Sequence, residues 1–439
     1  MADTRIDLTR YLDLIESAQP IKRQGSVCKV VGLTIEAQGV NGLLGELCYL
    51  CLRSDGLLPA EIVGFRDGRT LLMPLGDTHG IQPGSTVIAS GSLLTVPAGP
   101  RLLGRVLDGL GRPLDGKGPV QASERYPITN EAPHPLRRTP ITQIMPTGVR
   151  AIDGLLTCGA GQRIGIFAGS GVGKSTLLGM IARNSRSDIS VIGLIGERGR
   201  EVQEFIDRDL GPEGMRRSVV VVSTSDEPPL VRMKGALVAT AVAEYFRDQG
   251  LHVTFLMDSV TRFAMAQREV GLAIGEPPAT RGYTPSVFAA LPKLMERAGT
   301  SDRGTITGFY TVLVEGDDFT EPVTDTARSV LDGHIVLSRD LAAEDHYPPI
   351  DISSSVSRLM NSIVSDEHRR AAAQVRECIA VYSRARDLVD IGAYQPGSNA
   401  DIDRALTLMP RITAFLRQQP EEATPYDETL SRLRSIFED

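Results

Sequence analysis

The feature of this 439-residue sequence that most constrains its fold is a glycine-rich segment, Ala168-Gly-Ser-Gly-Val-Gly-Lys-Ser175. A short, mostly apolar run (163–167) precedes the segment, and residues 176–182 after it are apolar at helical spacing. Glycines let the backbone turn tightly enough to aim several N–H groups at phosphate oxygens, and a helix start adds the positive end of its dipole. The pattern therefore predicts a strand, a phosphate-binding loop and a helix. The alternative, a glycine-rich turn without a ligand, is disfavoured by these flanks.

The residues of this segment have separate expected roles in binding ATP. We expect Lys174 to reach the β and γ phosphates and the Ser175 hydroxyl to bind Mg²⁺. Ala168 stands where the usual pattern has its first glycine, and alanine is a common variant there. The residues expected to bind the nucleotide are Gly169, Ser170, Gly171, Val172, Gly173, Lys174, Ser175 and Thr176.

Composition excludes several other classes of protein. The net charge of −7 argues against a nucleic-acid-binding surface, so no specific nucleic-acid partner is expected. The sequence has no run of about 18 apolar residues and no charged-then-apolar leader, which predicts a cytoplasmic chain. Its five cysteines are scattered and odd in number, which predicts free thiols. Cys48 and Cys51 form a C-x-x-C, but they lie in an alternating strand pattern that places them on opposite faces, so neither a redox site nor a metal site is expected there.

Periodicity along the chain predicts four regions. Residues 1–23 hold an amphipathic helix at 4–18, which either docks on its own domain or binds a partner. Residues 24–95 contain short β-rich runs separated by turn residues, as in a small barrel or sandwich. Residues 96–365 begin with a glycine- and proline-rich connector and then alternate strands with helices, which predicts a mostly parallel sheet. Residues 366–439 are predicted to form a helical domain.

Two carboxylates follow apolar strand runs that should end at the same sheet edge as the phosphate loop. Asp258 ends the run 253–257 and is expected to support Mg²⁺, with helix capping as the alternative. Glu197 follows the run 189–195 and is expected to polarise the attacking water. Its alternative role is a structural ion pair with a nearby arginine, Arg198 or Arg200. Arg198 could itself touch the γ-phosphate.

Several longer segments together resemble the secretion branch of the rotary-ATPase α/β superfamily. They are Gly-Glu-Arg-Gly-Arg-Glu-Val at 196–202, Met-Asp-Ser-Val-Thr-Arg-Phe at 257–263, Gly-Glu-Pro-Pro-Ala-Thr-Arg-Gly-Tyr at 275–283, and Tyr-Pro-Pro-Ile-Asp-Ile-Ser-Ser-Ser-Val-Ser-Arg at 347–358. The resemblance extends from about residue 25 to the C-terminus. It implies an α/β protein with an N-terminal small β-barrel, a RecA-like P-loop ATPase core and a C-terminal helical domain.

The same resemblance implies roles for individual residues. Glu197 would be the catalytic base, and Asp258 would support the metal. Arg358 matches the arginine finger that enters a neighbouring protomer's site, so hydrolysis would require a ring. Tyr347 matches the aromatic that packs against adenine. The synthase's catalytic subunit has a second aromatic near the segment that corresponds to 415–420; here that segment ends in Gln-Gln-Pro without one, which implies looser base selectivity.

Within the superfamily, the amino-acid sequences of segments 152–158, 243–250 and 258–263 are most similar to those of the ATPases of type III secretion injectisomes, followed by those of the flagellar export ATPases. This resemblance implies a homohexamer that binds stalk and peripheral regulator subunits and chaperone–substrate complexes. It also implies chaperone release, unfolding and export of secreted proteins, and association with the cytoplasmic face of the inner membrane. The loop 275–285 would either face the central channel or form a rigid crossover.

Two other classes of protein are also compatible with the sequence. An RNA-translocating hexameric ATPase also combines a small β domain with a RecA-like core. The net charge of −7 and an aromatic content of only 5% weigh against it, because single-strand binding uses basic grooves and stacking rings. The other class is a catalytically idle nucleotide-binding scaffold, which differs from an enzyme in the role of Glu197.

Overall fold

The computed structural model describes residues 23–53, 56–314, 316 and 318–438. The chain divides into two compact units, Met1–Leu94 and Thr95–Asp439. The predicted helix at 4–18 lies outside the described residues. Among the residues that are described, no helix is both long enough and apolar enough to cross a membrane.

The first unit is a closed antiparallel barrel. Its strands in the described chain are β1 Gln24–Val31, β2 Thr34–Gln38, β3 Glu46–Cys51, β4 Leu57–Arg66, β5 Arg69–Pro74 and β6 Thr86–Leu93. They pair in the order β1-β2-β5-β4-β3-β6, and β6 closes the ring on β1. Alternation along β3 shows how the sequence specifies it, since every second residue faces the interior. Cys48 is one of the buried residues and Cys51 lies on the other face, as predicted. Burial, with the nearby Glu46 charge, raises the pKa of Cys48 to about 12.

The second unit is built on a mostly parallel sheet. Its strands are β7 Thr95–Ala98, β8 Arg105–Asp108, β9 Glu124–Pro127, β10 Arg163–Ala168, β11 Ile189–Ile195, β12 Ser218–Ser223, β13 His252–Asp258, β14 Gly299–Thr300, β15 Thr305–Leu313, β16 Gly333–Leu337 and β17 Ile350–Ser357. The main sheet has the order β17-β16-β10-β15-β13-β11-β12-β8, and β14 pairs with β15. All the pairs along this order are parallel except β16 with β17. Strands β7 and β9 form a separate ribbon.

Helices cover this sheet and continue into the C-terminal region. They are α1 Arg150–Leu155, α2 Lys174–Asn184, α3 Gly199–Glu204, α4 Gly211–Arg216, α5 Pro229–Asp248, α6 Val260–Ile274, α7 Pro285–Met295, α8 Pro322–Val330, α9 Arg339–Ala343, α10 Met360–Ile363, α11 Asp366–Asp390, α12 Ala400–Leu416 and α13 Tyr426–Ser435. A π-helical turn, Phe205–Leu210, joins α3 to α4. Every residue of β11 and β12 is buried, as expected for parallel strands that are covered on both faces.

The C-terminal helices pack against α1. Ser365 caps α11 by accepting the N–H of His368 at 3.2 Å, and the buried His368 Nε2 donates to the Gly154 carbonyl at 2.7 Å. The Phe415 ring also lies so close to Gly154 that a Cβ there would be 2.8 Å from it. These contacts confirm the predicted fold class: a β-barrel, an α/β core and a C-terminal helical region. The finer boundaries, 24–95, 96–365 and 366–439, stay predictions.

The direction of the parallel strands determines where a site can form. Strands β10, β11 and β13 run the same way, so their carboxyl ends meet at one edge. In the pairing register Leu194 lies opposite Asp258, and Ala168 lies opposite Leu313. The phosphate loop, Glu197 and Asp258 therefore follow strand ends at the same edge, as the sequence predicted.

The glycine- and proline-rich connector supplies strands β7, β8 and β9, of which β8 pairs with β12 at the edge of the main sheet. A buried ion pair fixes the part of the connector that follows β9. Arg297 and Glu244 form a two-pronged pair at 2.6 and 2.8 Å, with 4% and 0% of their side chains exposed. Arg297 also donates to the Ile128 carbonyl at 2.8 Å, and the Asn130 amide donates to Glu244 at 2.9 Å. The connector is thereby joined to helix α5.

Replacing Glu244 with alanine is expected to destabilise the second unit by about 3–5 kcal/mol, because the buried Arg297 would lose its partner. Urea unfolding followed by circular dichroism measures the loss. The matched control is Glu213→Ala, since Glu213 pairs with Arg216 at 3.0 Å on the surface and such pairs contribute little. Equal losses in the two variants would contradict this prediction.

Candidate active site

The phosphate loop joins β10 to α2 with the backbone geometry that its glycines allow. Gly171 and Gly173 have φ angles of 77° and 94°, which a residue with a Cβ adopts only with strain. Helix α2 begins at Lys174, and no side chain in the described part of the chain caps its start. The N–H groups of its first turn are therefore available to an anion. Ser170 and Ser175 are exposed, while Val172 is buried and anchors the loop to the core.

Lys174 brings the two predicted carboxylates together. Its Nζ is 3.3 Å from Glu197 Oε1 and contacts Asp258 Oδ1. Only 11%, 14% and 4% of the side chains of Lys174, Glu197 and Asp258 are exposed. Burial lowers the pKa of Lys174, but the two carboxylates more than offset this effect and leave that pKa above its usual value. Three residues predicted separately from three strand ends thus form one cluster.

Asp258 is held by the neighbouring strand and does not cap a helix. The buried Thr311 of β15 donates its hydroxyl to Asp258 Oδ1 at 2.7 Å. Ser259 is the cap of α6 and accepts the N–H of Arg262 at 3.3 Å. The helix-capping alternative for Asp258 therefore does not apply.

Glu197 is in an environment that favours its protonated form. Burial raises the pKa of Glu197 to about 7, with the charge of Asp258 adding to the effect and Lys174 opposing it. A hydrogen bond with Glu201 also raises the pKa of Glu197, and the same bond lowers the pKa of Glu201. A carboxyl group that titrates near neutral pH can accept a proton under cellular conditions.

The arginines beside Glu197 are engaged elsewhere. Arg198 is exposed and pairs with Glu201 at 3.0 Å, and Arg200 pairs with Glu204 at 3.5 Å. The partner of Glu197 among the cations is Lys174, so the alternative of a structural pair with a neighbouring arginine is not what the structure shows. Arg198 stands beside the cluster with an exposed guanidinium.

Tyr347 lies against the phosphate loop. Its Cε1 is 3.5 Å from the point where a Cβ on Gly173 would stand, and 40% of the residue is exposed. An exposed ring at this place offers a flat face to a base.

Arg358 is far from the phosphate loop of its own chain. It follows β17, where Ser357 pairs with Gly333 at the start of β16. Because β16 is parallel to β10, Arg358 lies at the opposite sheet edge, about 20 Å from the loop for a strand of this length. Arg358 is exposed and donates to the Arg328 carbonyl at 3.2 Å.

Sequence reasoning missed three residues that surround the cluster. No sequence pattern indicated Thr311, because its contact with Asp258 depends on the pairing register between β13 and β15. Arg262 lies against Gly196, and its buried Nε has no hydrogen-bond partner in the described part of the chain. Arg339 places its Nη2 2.5 Å from where a Cβ on Gly169 would stand. Arg339 follows the strand next to β10, so the strand-end argument used for Asp258 could have found it.

The residues present fit a magnesium ion. The available donors are oxygen atoms, the exposed Ser175 hydroxyl and the Asp258 carboxylate, and hard oxygen donors suit Mg²⁺. Within the described residues, no group of three or more His, Cys, Asp and Glu side chains could hold a metal. Mg²⁺ is commonly bound through one or two protein ligands, waters and substrate phosphates, so the oxygen atoms of Ser175 and Asp258 are sufficient protein donors for it.

A phosphate loop at the carboxyl edge of a parallel sheet, with a lysine and two carboxylates beside it, defines a P-loop ATPase. The chain belongs to the ATP synthase alpha/beta family, and within it to the group of type 3 secretion system ATPases and flagellum-specific ATP synthases. The model of the family's nucleotide-binding domain matches residues 148–357, and that of its beta-barrel domain matches 27–91. The model of the T3SS EscN ATPase C-terminal domain matches 364–435.

Individual relatives match over nearly the whole chain. The flagellum-specific ATP synthase of Treponema pallidum is 53% identical over 98% of this chain and 96% of its own. The type 3 secretion system ATPase of Xanthomonas euvesicatoria is 51% identical over 95% of each chain. The structure of the assembled ATPase EscN from the enteropathogenic E. coli type III secretion system superposes with a TM-score of 0.89 at 45% identity, covering 94% of this chain and 99% of EscN. The predicted family, fold and ATPase activity are thus confirmed.

Replacing Glu197 with glutamine is expected to stabilise the nucleotide-free protein at alkaline pH. The folded pKa of Glu197, about 7, exceeds its ordinary value, 4.5. Its contribution to stability is therefore present below the ordinary pKa and lost as pH rises through about 7. At about pH 8 the buried carboxylate destabilises the fold, and glutamine relieves this by on the order of 1–2 kcal/mol.

Differential scanning calorimetry of both proteins at about pH 5.5 and about pH 8 measures the effect. We expect the melting temperature of Glu197→Gln to exceed that of the wild type by about 2–4 °C at the higher pH and by less at the lower pH. An equal difference at the two pH values would show that Glu197 does not titrate near neutral pH.

Proposed function

We propose that this protein is the Mg²⁺-dependent ATP hydrolase of a type III protein secretion apparatus. The observation that carries the proposal is the cluster of Lys174, Glu197 and Asp258 beside the phosphate loop. Export of flagellar proteins is the second candidate, and the 53% identity to a flagellum-specific ATP synthase favours it. A second supporting observation, common to both, is the match to the type III secretion C-terminal domain over residues 364–435.

Phosphate binding would redistribute the charges of the cluster. The loop from Gly169 to Thr176 would direct its N–H groups to the phosphates, and Lys174 would exchange carboxylate partners for phosphate oxygens. Ser175 and Asp258 would hold Mg²⁺, which supplies neutralisation of the phosphate charge when bound. Arg198, which is exposed beside Glu197, would turn toward the γ-phosphate.

Glu197 would act as the base that orients and deprotonates the attacking water. Its pKa of about 7 in the nucleotide-free protein lies near neutral pH, and a general base is most effective when its pKa is near the operating pH. Water would lose a proton to a Glu197 oxygen as its own oxygen joins the γ-phosphorus and the bond to the β-phosphate breaks. Tyr347 would hold the adenine at the other end of the nucleotide.

Arg358 would complete the site of a neighbouring protomer in a homohexameric ring. It is exposed and lies at the sheet edge opposite its own phosphate loop, so its guanidinium would exchange its contact with the Arg328 carbonyl for the phosphates of another chain. A planar guanidinium that reaches the transferred phosphoryl group stabilises the charge of its transition state. The similar protein EscN has been solved as an assembled ATPase.

The remaining expected partners belong to the secretion apparatus. EscN has been solved in complex with its central stalk EscO, and a stalk subunit is proposed here by analogy. The exposed residues 277–282, in the loop 275–285, would face such a stalk within the channel. The protein would also bind peripheral regulators, chaperone–substrate complexes and the cytoplasmic face of the inner membrane. In this proposal, hydrolysis drives chaperone release, unfolding and export.

Two substitutions separate binding from hydrolysis. Lys174→Ala is expected to weaken ATP binding and to reduce turnover at least about 100-fold. Glu197→Gln is expected to reduce turnover by a similar factor with ATP affinity within about threefold of the wild type. Phosphate release and binding of a fluorescent ATP analogue measure these effects, with Glu204→Gln as a surface control. Unaltered turnover in Glu197→Gln would support an idle scaffold, and RNA-stimulated hydrolysis would support the translocating ring.

Mixing two inactive variants tests whether the site is shared. In a mixed ring, an Arg358→Ala protomer supplies an intact Glu197 while its Glu197→Gln neighbour supplies an intact Arg358. Turnover of the mixture is expected to recover to a measurable fraction of the wild-type rate and to rise with protein concentration. A mixture that stays as inactive as its components would contradict the assignment of Arg358 to a neighbouring site.

A further inference from the structure

The loop 417–424, which follows helix α12, is held to the start of helix α1 by the side chain of Gln418. Only 3% of Gln418 is exposed. Its amide nitrogen donates to the carbonyls of Gly148 and Glu422, both at 2.8 Å, and its amide oxygen accepts the N–H of Arg150 at 2.8 Å. Both amide hydrogens and the oxygen are therefore bonded, which fixes the orientation of the group.

Two arginines of the α/β core hold the same loop. The buried guanidinium of Arg150 contacts the loop and the end of α12 at Phe415 O (2.9 Å), Thr424 Oγ1 (3.1 Å), Arg417 O and Glu422 Oε1. Arg183, in the last turn of the helix that begins at the phosphate loop, donates to the Pro420 carbonyl at 2.5 Å. The loop is thus bound at both ends and in its middle.

Gln418 also connects this loop to Tyr347. Its backbone N–H donates to the Tyr347 carbonyl at 2.8 Å. The Tyr347 ring in turn lies against Gly173 of the phosphate loop. A single buried residue therefore joins the end of the C-terminal helix α12 to the backbone of the exposed ring.

We propose that Gln418 is a positioning residue for the purine base: it anchors the loop 417–424 and through it sets the place of the Tyr347 ring beside the phosphate loop. This inference rests on the proposed function, in which Tyr347 stacks on adenine. In this proposal the C-terminal helices also contribute to base binding, because they hold the loop that contacts the Tyr347 backbone. A partner that displaces α12 would then change the affinity for ATP, and ATP would change the affinity for that partner by the same factor.

If Gln418 positions the Tyr347 ring, its loss affects ligands with a base and ligands without one differently, whereas a merely structural role would affect both alike. Loss of the Gln418 amide should weaken ligands that carry a base and spare ligands that carry only phosphates. ATP and inorganic tripolyphosphate supply this comparison, because both present a chain of three phosphates. Displacement of a fluorescent ATP analogue by each ligand gives the two affinities in the full-length protein.

We expect Gln418→Ala to weaken ATP binding about 3- to 10-fold and to leave tripolyphosphate binding within about twofold of the wild type, because only ATP has a base to stack on the displaced ring. The KM for ATP should rise by a similar factor with little change in kcat. Gln419→Ala is the matched control, because Gln419 is the exposed neighbour of the same residue type. Its affinities should equal those of the wild type.

A double-mutant cycle with Tyr347→Ala tests whether the effect passes through the ring. If it does, Tyr347→Ala/Gln418→Ala binds ATP no more weakly than Tyr347→Ala. Multiplicative effects of the two changes would overturn the inference, as would equal weakening of ATP and tripolyphosphate by Gln418→Ala. If Gln418→Ala does not fold, Glu422→Gln, which loosens the Arg150 contact, should weaken ATP about two- to threefold by the same criteria.

Failure of this inference differs from failure of the proposed function. If Tyr347→Ala leaves ATP affinity unchanged, Tyr347 does not bind the base, and the proposed role of the ring is wrong. If Tyr347→Ala weakens ATP and Gln418→Ala does not, the base site stands and the positioning role of Gln418 is wrong.

Discussion

The arrangement of the ATPase core depends on one constraint, the shared carboxyl edge of strands β10, β11 and β13. This edge places Lys174, Glu197 and Asp258 within reach of one another although they are widely separated in sequence. Two nearly buried carboxylates so close together would repel each other strongly without a cation between them. Lys174 supplies that cation. The Lys174 ammonium group therefore holds the nucleotide-free cluster together, and the same group would bind the phosphates of ATP. Substrate binding would in this way change the charge around Glu197.

The pKa of Glu197 lies well above its ordinary value because of the surroundings of its carboxyl group. Burial and the charge of Asp258 favour the neutral acid, and Lys174 offsets only part of this. Asp258 accepts a hydrogen bond from Thr311 in addition to its contact with Lys174. The two carboxylates beside Lys174 thus have different hydrogen-bond partners, and in the proposed function one would accept a proton while the other would support the metal.

Patterns in the sequence were sufficient for the features that depend on local order. Alternation over Glu46–Cys51 indicated a strand with two faces, and apolar runs followed by Asp258 or Glu197 indicated strand ends at one sheet edge. Contacts set by register or by packing between distant segments were not accessible in this way. Thr311 reaches Asp258 only because β15 lies beside β13, and Gln418 reaches Tyr347 only because the C-terminal helices pack on α1. The choice between a capping and a buried role for Asp258 likewise depended on Ser259, whose hydroxyl performs the capping.

The position of Arg358 is a physical reason to expect that several copies of the chain assemble. A sheet of parallel strands collects the catalytic groups at its carboxyl edge, and the antiparallel strand β17 carries the chain back to the other edge before Arg358. The chain therefore cannot bring this guanidinium to its own phosphates without rebuilding its edge strand. A neighbouring copy meets no such restriction, because an exposed group on one edge can face the open site of the next protomer. Activity in such a ring would depend on the interface between copies, whereas the proposed base binding through Tyr347 and Gln418 would depend on contacts within one chain.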